Sequence, residues 1–476
     1  MRKWMALVLC LVFLCSGCSV LKEEKNTQGI SLLPHPLEQT GYLTIYPILY
    51  YIDETTGKIM STSTELQIEE WVKTPVLIVQ ALLSSQIDLG FGYIGSKIHV
   101  KDVELTSEIA NVYLEADIAM SDRQRYFLSV LIANTLIENC NISYVNVEIS
   151  GLPASIMGVP IGLLGKTEGS LPELYQQQRS MIEQLGEEAY NANVGLYFVE
   201  ETTGYLLSEV RSINVNYSSL PKMIINVLEQ QAKGAKYEAT YLSPLEESVF
   251  SQLLIQCTEE ELKQYFSYEA GILTIWQADL LFSRDEEAQR GRSMAAVYDT
   301  LRGVLPGLRS LCCYWQDEVM IVQQEETGKY LGNVIEIYLP NEDMTSIQQV
   351  KRIVHDEEAL DWNTYIRLIG EGAIDGDPET VVSVFPGGLS EKDILSFEIS
   401  GDCAILDFSQ NFIYSMERLT AQGQILMIYS IVNTISSIGP IKTVQFLVNG
   451  EYVKSVRGGN LSLISPLMPS PGLVKQ

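Results

Sequence analysis

Three histidines, His35, His99 and His355, are the first candidates for general acid–base chemistry in this chain. His35 lies in a polar segment before the first predicted strand, His99 lies on an alternating strand, and His355 precedes "DEEALD". A nucleophilic triad needs a histidine that is oriented by a carboxylate and placed beside a nucleophile. None of the three histidines recurs at the same place in another copy of the repeat described below, so no catalytic residue is predicted.

Two further stretches contain residue types that bind ligands. Gly90, Gly92 and Gly95 spell G-x-G-x-x-G, but a dinucleotide loop follows a strand and opens a helix, whereas here a predicted helix precedes and a strand follows. The segment "DGDPE", 375–379, alternates carboxylates as calcium loops do, but it lacks the twelve-residue loop with its terminal Glu. A flexible connection and a solvated turn are expected, and no cofactor or metal site is predicted.

The first residues have the order of a secretory signal: Arg2 and Lys3, the apolar run "WMALVLCLVFLC", and then "SGC". The run is shorter than the roughly 20 residues that span a bilayer. The tripeptide ending at Cys18 resembles a bacterial lipobox, which usually has Leu where this chain has Cys15. We expect a lipoprotein signal peptide over 1–17, a lipid on Cys18, and a polar tether over 18–41. The alternative is an ordinary signal peptide cut at the same place, without lipid.

Cysteine usage predicts neither a disulfide framework nor a zinc site. Two of the eight cysteines leave with the signal, Cys18 would be acylated, and no C-x-x-C occurs among the other five. The odd number that remains is expected to pack as small buried hydrophobes, with a bridge from Cys257 to Cys312 or Cys313 as the alternative. The five remaining cysteines are Cys140, Cys257, Cys312, Cys313 and Cys403.

The charge balance excludes nucleic acid as a partner. The formal net charge is −28, from 60 acidic and 32 basic side chains, so no basic stripe is present to displace counterions. The 476 residues with 46% hydrophobic composition predict two to four globular domains.

The chain repeats itself over whole domains. The phrase "ETTG" occurs at 54–57 and 201–204, and "IANTLIENCNISYVNVEISG" at 132–151 aligns without a gap to "IVNTISSIGPIKTVQFLVNG" at 431–450. A middle copy begins at Val297 and keeps Thr300. We predict tandem repeats at 42–165, 194–331 and 332–465, a linker helix within 166–193 and a flexible tail at 466–476. "ETTG" is expected to be a turn between extended segments, with a ligand loop as the alternative.

Periodicity predicts the order β-α-β-β-α-β in each repeat, with one sheet covered by two helices, which is an α+β fold. The pairs Asn134-Thr135 and Asn433-Thr434 lie late in matching helices. Their side chains are expected to bond backbone near the helix end and to fix the turn into the last strand. The alternative is a spot that binds a partner.

The third repeat resembles the GerM, or Germane, domain of bacterial sporulation and spore-germination lipoproteins. The resemblance rests on "AILDFSQNF" from Ala404, the helix end "IVNTISSIG" and the strand "TVQFLVNGE" from Thr443; the first two repeats resemble it more weakly. Proteins of this type often carry two such domains, so three repeats depart from the usual number in the family. The resemblance implies a fold like the ring-building motif of the sporulation channel. It also implies a function in protein–protein contacts rather than in catalysis.

Together these features predict a non-enzymatic lipoprotein scaffold for sporulation or germination, with no cofactor. It would be anchored by lipid to the outer face of the cytoplasmic membrane and would contact proteins of the cell envelope or spore assembly. The alternatives are a cell-wall-acting enzyme factor and a small-ligand receptor with an interdomain site.

Overall fold

A computed structural model describes residues 43–68, 74–85, 95–106, 108–185, 190–217, 219–283, 287–316, 318–374, 377–378, 381–384, 390–438, 441–456 and 461–475. Cys18, the predicted signal and the tether lie outside the described residues, as does His35.

The first unit opens with a hairpin and continues through a helix, a second hairpin, a long helix and a last strand. Local signals set these elements: the Ser121 hydroxyl accepts from the Gln124 N–H and caps the long helix, and Gly57 turns the first hairpin at φ 68°. The elements are β1 (Leu43–Ile45), β2 (Ile48–Ile52), β3 (Ile59–Ser63), β4 (Leu66–Ile68), α1 (Thr74–Ser84), β5 (Ile98–Thr106), β6 (Ile109–Ala116), α2 (Asp122–Asn139), β7 (Tyr144–Ile149), β8 (Leu152–Pro153), β9 (Ser155–Ile156) and β10 (Val159–Pro160).

The main sheet of this unit has the order β5-β6-β7-β8. Strand β6 pairs antiparallel with β5 and parallel with β7, because α2 carries the chain across the sheet between β6 and β7. Strands β2 and β3 pair with each other as a separate two-stranded sheet. Helix α2 packs on both the front hairpin and the main sheet, so it holds the two sheets together.

The second unit follows the linker helix α3 (Leu171–Leu185) and repeats this plan with a helical insertion after its first helix. Its main sheet has the order β14-β15-β16-β17, with β15 and β16 parallel. The elements are β11 (Tyr190–Glu200), β12 (Leu206–Val215), α4 (Leu220–Ala232), β13 (Tyr241–Leu242), α5 (Glu247–Gln256), α6 (Glu259–Leu262), β14 (Phe266–Glu269), β15 (Ile272–Ile275), α7 (Ala278–Leu281), α8 (Glu287–Arg302), β16 (Ser310–Trp315), β17 (Glu318–Gln323) and α9 (Gln324–Thr327).

The third unit has the same plan without that insertion. Its main sheet has the order β20-β21-β22-β23, and β21 and β22 are parallel. The elements are β18 (Gly332–Pro340), β19 (Ile347–His355), α10 (Trp362–Glu371), β20 (Ile394–Ser400), β21 (Cys403–Phe408), α11 (Gln410–Met416), α12 (Ala421–Ile435), β22 (Thr443–Val448) and β23 (Glu451–Tyr452).

The α+β class and the tandem arrangement are therefore confirmed. The order that the three units share is β-β-α-β-β-α-β-β, which adds a strand at each end to the predicted one; the first unit also has the short strands β1, β4, β9 and β10. The added front strand arises because a tight turn after Asp53, Glu200 or Asn341 reverses the chain, so that the next residues pair with the preceding strand. The front hairpins lie outside the main sheets, so each unit has more than the one sheet that was expected: two in the second and third units, and four in the first.

Each unit has its own cluster of buried apolar side chains around its second long helix. In the third unit the rings of Phe408, Phe412 and Phe446 stack, with centroids of Phe408 and Phe412 4.4 Å apart. The linker helix α3 packs on the first unit, where Tyr175 lies 5.6 Å from Tyr126 between ring centroids.

The last described residues belong to the third unit and do not form the flexible tail that was expected from 466. The Leu467 N–H donates to Val444 O at 2.8 Å, and the Lys475 N–H donates to Ile347 O at 2.8 Å. The proline content of this segment prevents regular structure, but its remaining amides still pair with the sheet edges.

One hydrogen bond recurs in all three units and joins the front hairpin to the long helix. The hydroxyl of Thr135 accepts from the Tyr50 N–H at 3.1 Å, that of Thr300 from the Tyr197 N–H at 3.0 Å, and that of Thr434 from the Tyr338 N–H at 2.9 Å. We call this contact the Thr–Tyr clip. It satisfies an amide on the side of the first strand that faces the helix.

The residue three positions after each clipped tyrosine caps the hairpin turn. Asp53 Oδ1 accepts from the Thr56 N–H at 2.7 Å, and Glu200 Oε2 accepts from the Thr203 N–H at 2.7 Å. In the third unit Asn341 Oδ1 accepts from the Thr345 N–H at 2.8 Å. The "ETTG" repeat is thus part of a capped turn, and the third unit makes an equivalent turn without it.

Replacing the clip threonine by valine, as in Thr135→Val, Thr300→Val or Thr434→Val, is expected to lower the free energy of unfolding by about 1–3 kcal/mol each. Valine keeps the shape but leaves a tyrosine amide unpaired. Urea denaturation followed by circular dichroism measures the change. Thr62→Val, on the exposed strand β3, is the matched control, and a clip variant as stable as this control would contradict the assignment.

Candidate functional site

The two described histidines each lie beside a carboxylate, and they belong to different units. His99 Nε2 lies 3.0 Å from Asp117 Oδ2, and both side chains are largely exposed. His355 Nδ1 lies 2.9 Å from Asp356 Oδ1, and its ring meets that of Tyr205 edge-on. The structure therefore does not bring the sequence candidates for acid–base chemistry together.

The glycine motif is only partly described. Gly95 begins a short 3₁₀ turn before β5, and a Cβ at this position would lie 1.9 Å from Leu83 O, so the close approach of α1 requires glycine. Gly90 and Gly92 lie outside the described residues.

The "DGDPE" segment is anchored by a buried ion pair and is not a simple solvated turn. Asp377 Oδ1 and Oδ2 accept from Nη1 and Nη2 of Arg352 at 2.7 and 2.6 Å, and both side chains are buried. Because Asp377 is engaged in this pair, it is not placed to bind calcium. Asp375 and Glu379 lie outside the described residues. Within the described ranges, no group of three or more His, Cys, Asp or Glu side chains could hold a metal ion.

The side chains of the Asn-Thr pairs form hydrogen bonds with backbone groups as expected, but these groups do not lie in the turn into the last strand. Asn134 exchanges two hydrogen bonds with the backbone of Thr167, and Asn433 Oδ1 accepts from the Ser470 N–H at 2.9 Å. Both asparagines thus hold the segment that follows the last strands, not the turn into them. The expected position was wrong because the contact is long-range.

All five cysteines outside the N-terminal segment are free, so the alternative of a bridge from Cys257 is not realised. Cys312 and Cys313 lie on opposite faces of β16, as their adjacency predicts. Burial raises the pKa of the Cys140 thiol to about 12, which disfavours the reactive thiolate.

A buried polar cluster lies where the first and second units meet, and no local sequence pattern predicts it. Arg302, at the end of α8, has a side chain that is 2% exposed. Its Nη2 donates to Glu104 Oε2 at 3.1 Å, and its Nη1 lies 3.3 Å from Asp299 Oδ1. The guanidinium also lies over the ring of Tyr113, 5.4 Å from the centroid.

The cluster holds more carboxylates than cations. Burial raises the pKa of Asp299 to about 7, although Arg302 acts in the opposite direction. Burial likewise raises the pKa of Glu148, which accepts from Asn146 Nδ2 at 3.2 Å. Asp299 occupies the position next to the clip threonine that is asparagine in the other two units.

A cleft of about 460 Å³ opens where the three units meet. The first unit contributes the end of α2 and the β5–β6 turn, the second contributes β12 and the segment before β13, and the third contributes β18, β19 and α10. Its volume lies in the range of ligand pockets, roughly 300–1,000 Å³.

The outer face of the main sheet in the second unit is apolar and open. Trp276 stacks on Tyr314 with ring centroids 4.6 Å apart and is 44% exposed. Beside them Ile321 is 55% exposed, and Val319 and Ile272 are exposed as well. In the first unit the same face is buried, because Tyr197 and Arg302 of the second unit cover it. We call the open surface around Trp276 the apolar face.

Asp299→Asn is expected to flatten the pH dependence of stability. Since the folded-state pKa of about 7 lies above the ordinary 3.8, the stability linked to this group is complete below about pH 4 and is lost as the pH rises to about 7. Asparagine can still accept from the Thr327 hydroxyl, which lies 3.3 Å from Asp299 Oδ1.

Thermal unfolding between pH 4.5 and 8 measures this dependence for wild type, Asp299→Asn and the exposed control Asp343→Asn. The melting temperature of wild type and control should fall more steeply over this range than that of Asp299→Asn. Parallel curves for all three would show that Asp299 does not titrate in this window.

Among the described residues, no helix is both long enough and apolar enough to cross a membrane. A comparison with curated proteins found no match. Residues 336–454 match the Germane family model, whose description is "Sporulation and spore germination".

Three solved structures are similar in part. The tandem GerMN domains of the sporulation protein GerM from Bacillus subtilis are 13% identical, with 59% of this chain and 98% of that chain covered and a TM-score of 0.23. The first GerMN domain of the same protein is 17% identical over 28% of this chain and 96% of that chain, with a TM-score of 0.21. A candidate lipoprotein from Clostridium perfringens is 22% identical over 28% of this chain and 86% of that chain, with a TM-score of 0.20.

Scores this low do not establish a common overall arrangement, so the assignment rests on the match of residues 336–454. That range contains β19, α10, the main sheet and both later helices of the third unit. The third unit of this chain therefore contains a Germane domain at 336–454.

Proposed function

We propose that this protein is a non-enzymatic scaffold that acts in sporulation or spore germination through contacts with envelope proteins. It is held by a lipid on Cys18 at the outer face of the cytoplasmic membrane. The Germane match of residues 336–454 supports the process. The signal and lipobox pattern that ends at Cys18 supports the location.

The observation that carries the scaffold proposal is the apolar face of the second unit. Monomeric proteins rarely leave a contiguous apolar surface open, and such surfaces are typical of protein interfaces. Trp276 and Tyr314 supply rigid aromatic area, which is enriched where interfaces gain most of their binding energy. The polar groups that recur in the three units are, by contrast, used inside the fold, as the Thr–Tyr clips are.

A small-ligand receptor is the second candidate, and the cleft between the three units favours it. The cleft and the apolar face are built from different residues, so the two can be tested separately.

The double substitution Trp276→Ser/Ile321→Ser is expected to reduce heat-resistant spore formation or germination in the native host by tenfold or more. Both side chains are exposed, so the melting temperature and cellular amount of the protein should stay within the range of wild type. The matched control is Met181→Ser/Ile255→Ser, which removes two exposed apolar side chains elsewhere. If the first pair sporulates and germinates as well as the control, the apolar face is not the working surface.

The anchor is tested by labelling cells with an alkyne fatty acid. Wild type should carry the label and fractionate with membranes, whereas Cys18→Ser should carry none and be released. Equal labelling of the two chains would refute a lipid at this cysteine.

A further inference from the structure

The cleft between the three units is lined by apolar side chains and by tyrosines. Its floor is apolar, with buried Leu105, Ile142 and Ile335 from the first and third units. Its sides carry tyrosines, of which Tyr237 is largely exposed and Tyr365 is buried. An apolar floor with aromatic sides suits the methylene stems of long side chains.

The charges around the cleft are unbalanced. Among the described residues that line it are four carboxylates, Glu108, Glu209, Glu238 and Glu336, and one ammonium group, that of Lys351. Glu209 is engaged, since its Oε1 pairs with Arg211 Nε at 2.6 Å and its Oε2 accepts from the Lys236 N–H at 2.8 Å.

Lys351 lies near two of the other three carboxylates, Glu238 and Glu336, and its one positive charge can offset only one of their negative charges. Its Nζ lies 3.2 Å from Glu238 Oε1, and both side chains are substantially exposed, so the pair is weak and can exchange partners. Glu336 lies directly opposite Lys351 across β18 and β19 and so shares this cation with Glu238. Together with Glu108 of the first unit, these carboxylates exceed the ammonium group by two negative charges.

This excess charge acts on the tyrosines of the cleft. Burial raises the pKa of Tyr241 to about 12, and Glu238 and Glu108 add to the rise from two different units. Burial, and then Glu336, raise the pKa of Tyr365. Carboxylates of all three units thus produce one negative field in one concave space.

We propose that the cleft binds a segment of a protein partner that carries lysine or arginine side chains. Their cationic ends would meet Glu108 and would compete with Lys351 for Glu238 and Glu336, while their stems would lie between the tyrosines. The charge complementarity of a basic segment to this net-negative concave surface selects it over an acidic or neutral one. This inference rests on the proposed function, since it assigns a second contact to the same scaffold.

Because each unit supplies one of the carboxylates, the segment binds only when the three units are held together as the structure shows. A cleft of about 460 Å³ accommodates a few side chains rather than a folded domain. The partner would therefore insert a short extended segment into the cleft. This contact would be separate from the one made by the apolar face.

The probe is a fluorescein-labelled peptide with three consecutive lysines, and binding is followed by fluorescence anisotropy with the full mature chain. We expect saturable binding that weakens as salt is raised, and no binding of the same peptide with acetylated lysines. Glu108→Gln/Glu336→Gln should weaken binding tenfold or more. The control Glu342→Gln/Glu451→Gln changes the net charge equally at exposed positions outside the cleft and should leave binding within twofold.

Three results would overturn the proposal. Equal weakening by both double variants would mean that the peptide senses only the overall charge. Displacement of the peptide by spermidine at an equal concentration of charge would make the cleft a site for small cations. Binding that is unchanged by Glu108→Gln/Glu336→Gln would place the peptide elsewhere.

Sporulation assays separate this inference from the proposed function. If Trp276→Ser/Ile321→Ser impairs spores while the cleft variant does not, the scaffold proposal stands and the cleft proposal falls. If the cleft variant alone impairs spores and loses the peptide, the cleft proposal stands without the apolar face.

Discussion

The three units are organised by the hydrogen bond from a threonine on the long helix to a tyrosine amide on the front hairpin. A two-stranded hairpin is marginally stable alone, and one side of each strand has amides that need partners. The rigid, β-branched threonine supplies such a partner from a fixed position on the helix. It sets the distance and register of hairpin and helix, and the main sheet then packs on the other side of the same helix.

The residue before the clip threonine differs among the three units, and in the second unit it contributes to the interface with the first. Asn134 and Asn433 hold the segments that follow the last strands of their own units. In the second unit the residue is Asp299, which accepts from the hydroxyl of Thr327 and also places an ionisable carboxyl in the interior. Arg302 offsets part of the cost of ionising this carboxyl, and Arg302 in turn reaches Glu104 of the first unit. A local change of amide to carboxylate thus extends the hydrogen bonding of one unit to its neighbour.

The sequence predicted what depends on local pattern and missed what depends on distant burial. The repeats, the long helices and the turn glycines could be recognised, since period and turn chemistry are local. The partner of Thr135 could not, because Tyr50 lies 85 residues away in the chain. Asn111, Asn146 and Glu148 alternate along their strands as solvent-facing residues do, yet the second unit covers them. Asp377 lies in a stretch with the composition of a solvated turn, and only the approach of Arg352 makes it a buried pair.

Where the units meet, the negative charge of the chain limits how closely the units can pack. Asp356 of the third unit lies at the same junction: burial raises its pKa to about 7, and the nearby charges of Glu104 and Asp102 of the first unit add to this. Carboxylates from all three units therefore converge on the region that contains the guanidinium of Arg302. Such groups can be buried together only if a cation or a proton neutralises part of their charge. The relative placement of the units thus depends on electrostatics rather than on apolar area alone, and the cleft beside this junction has the same excess of negative charge.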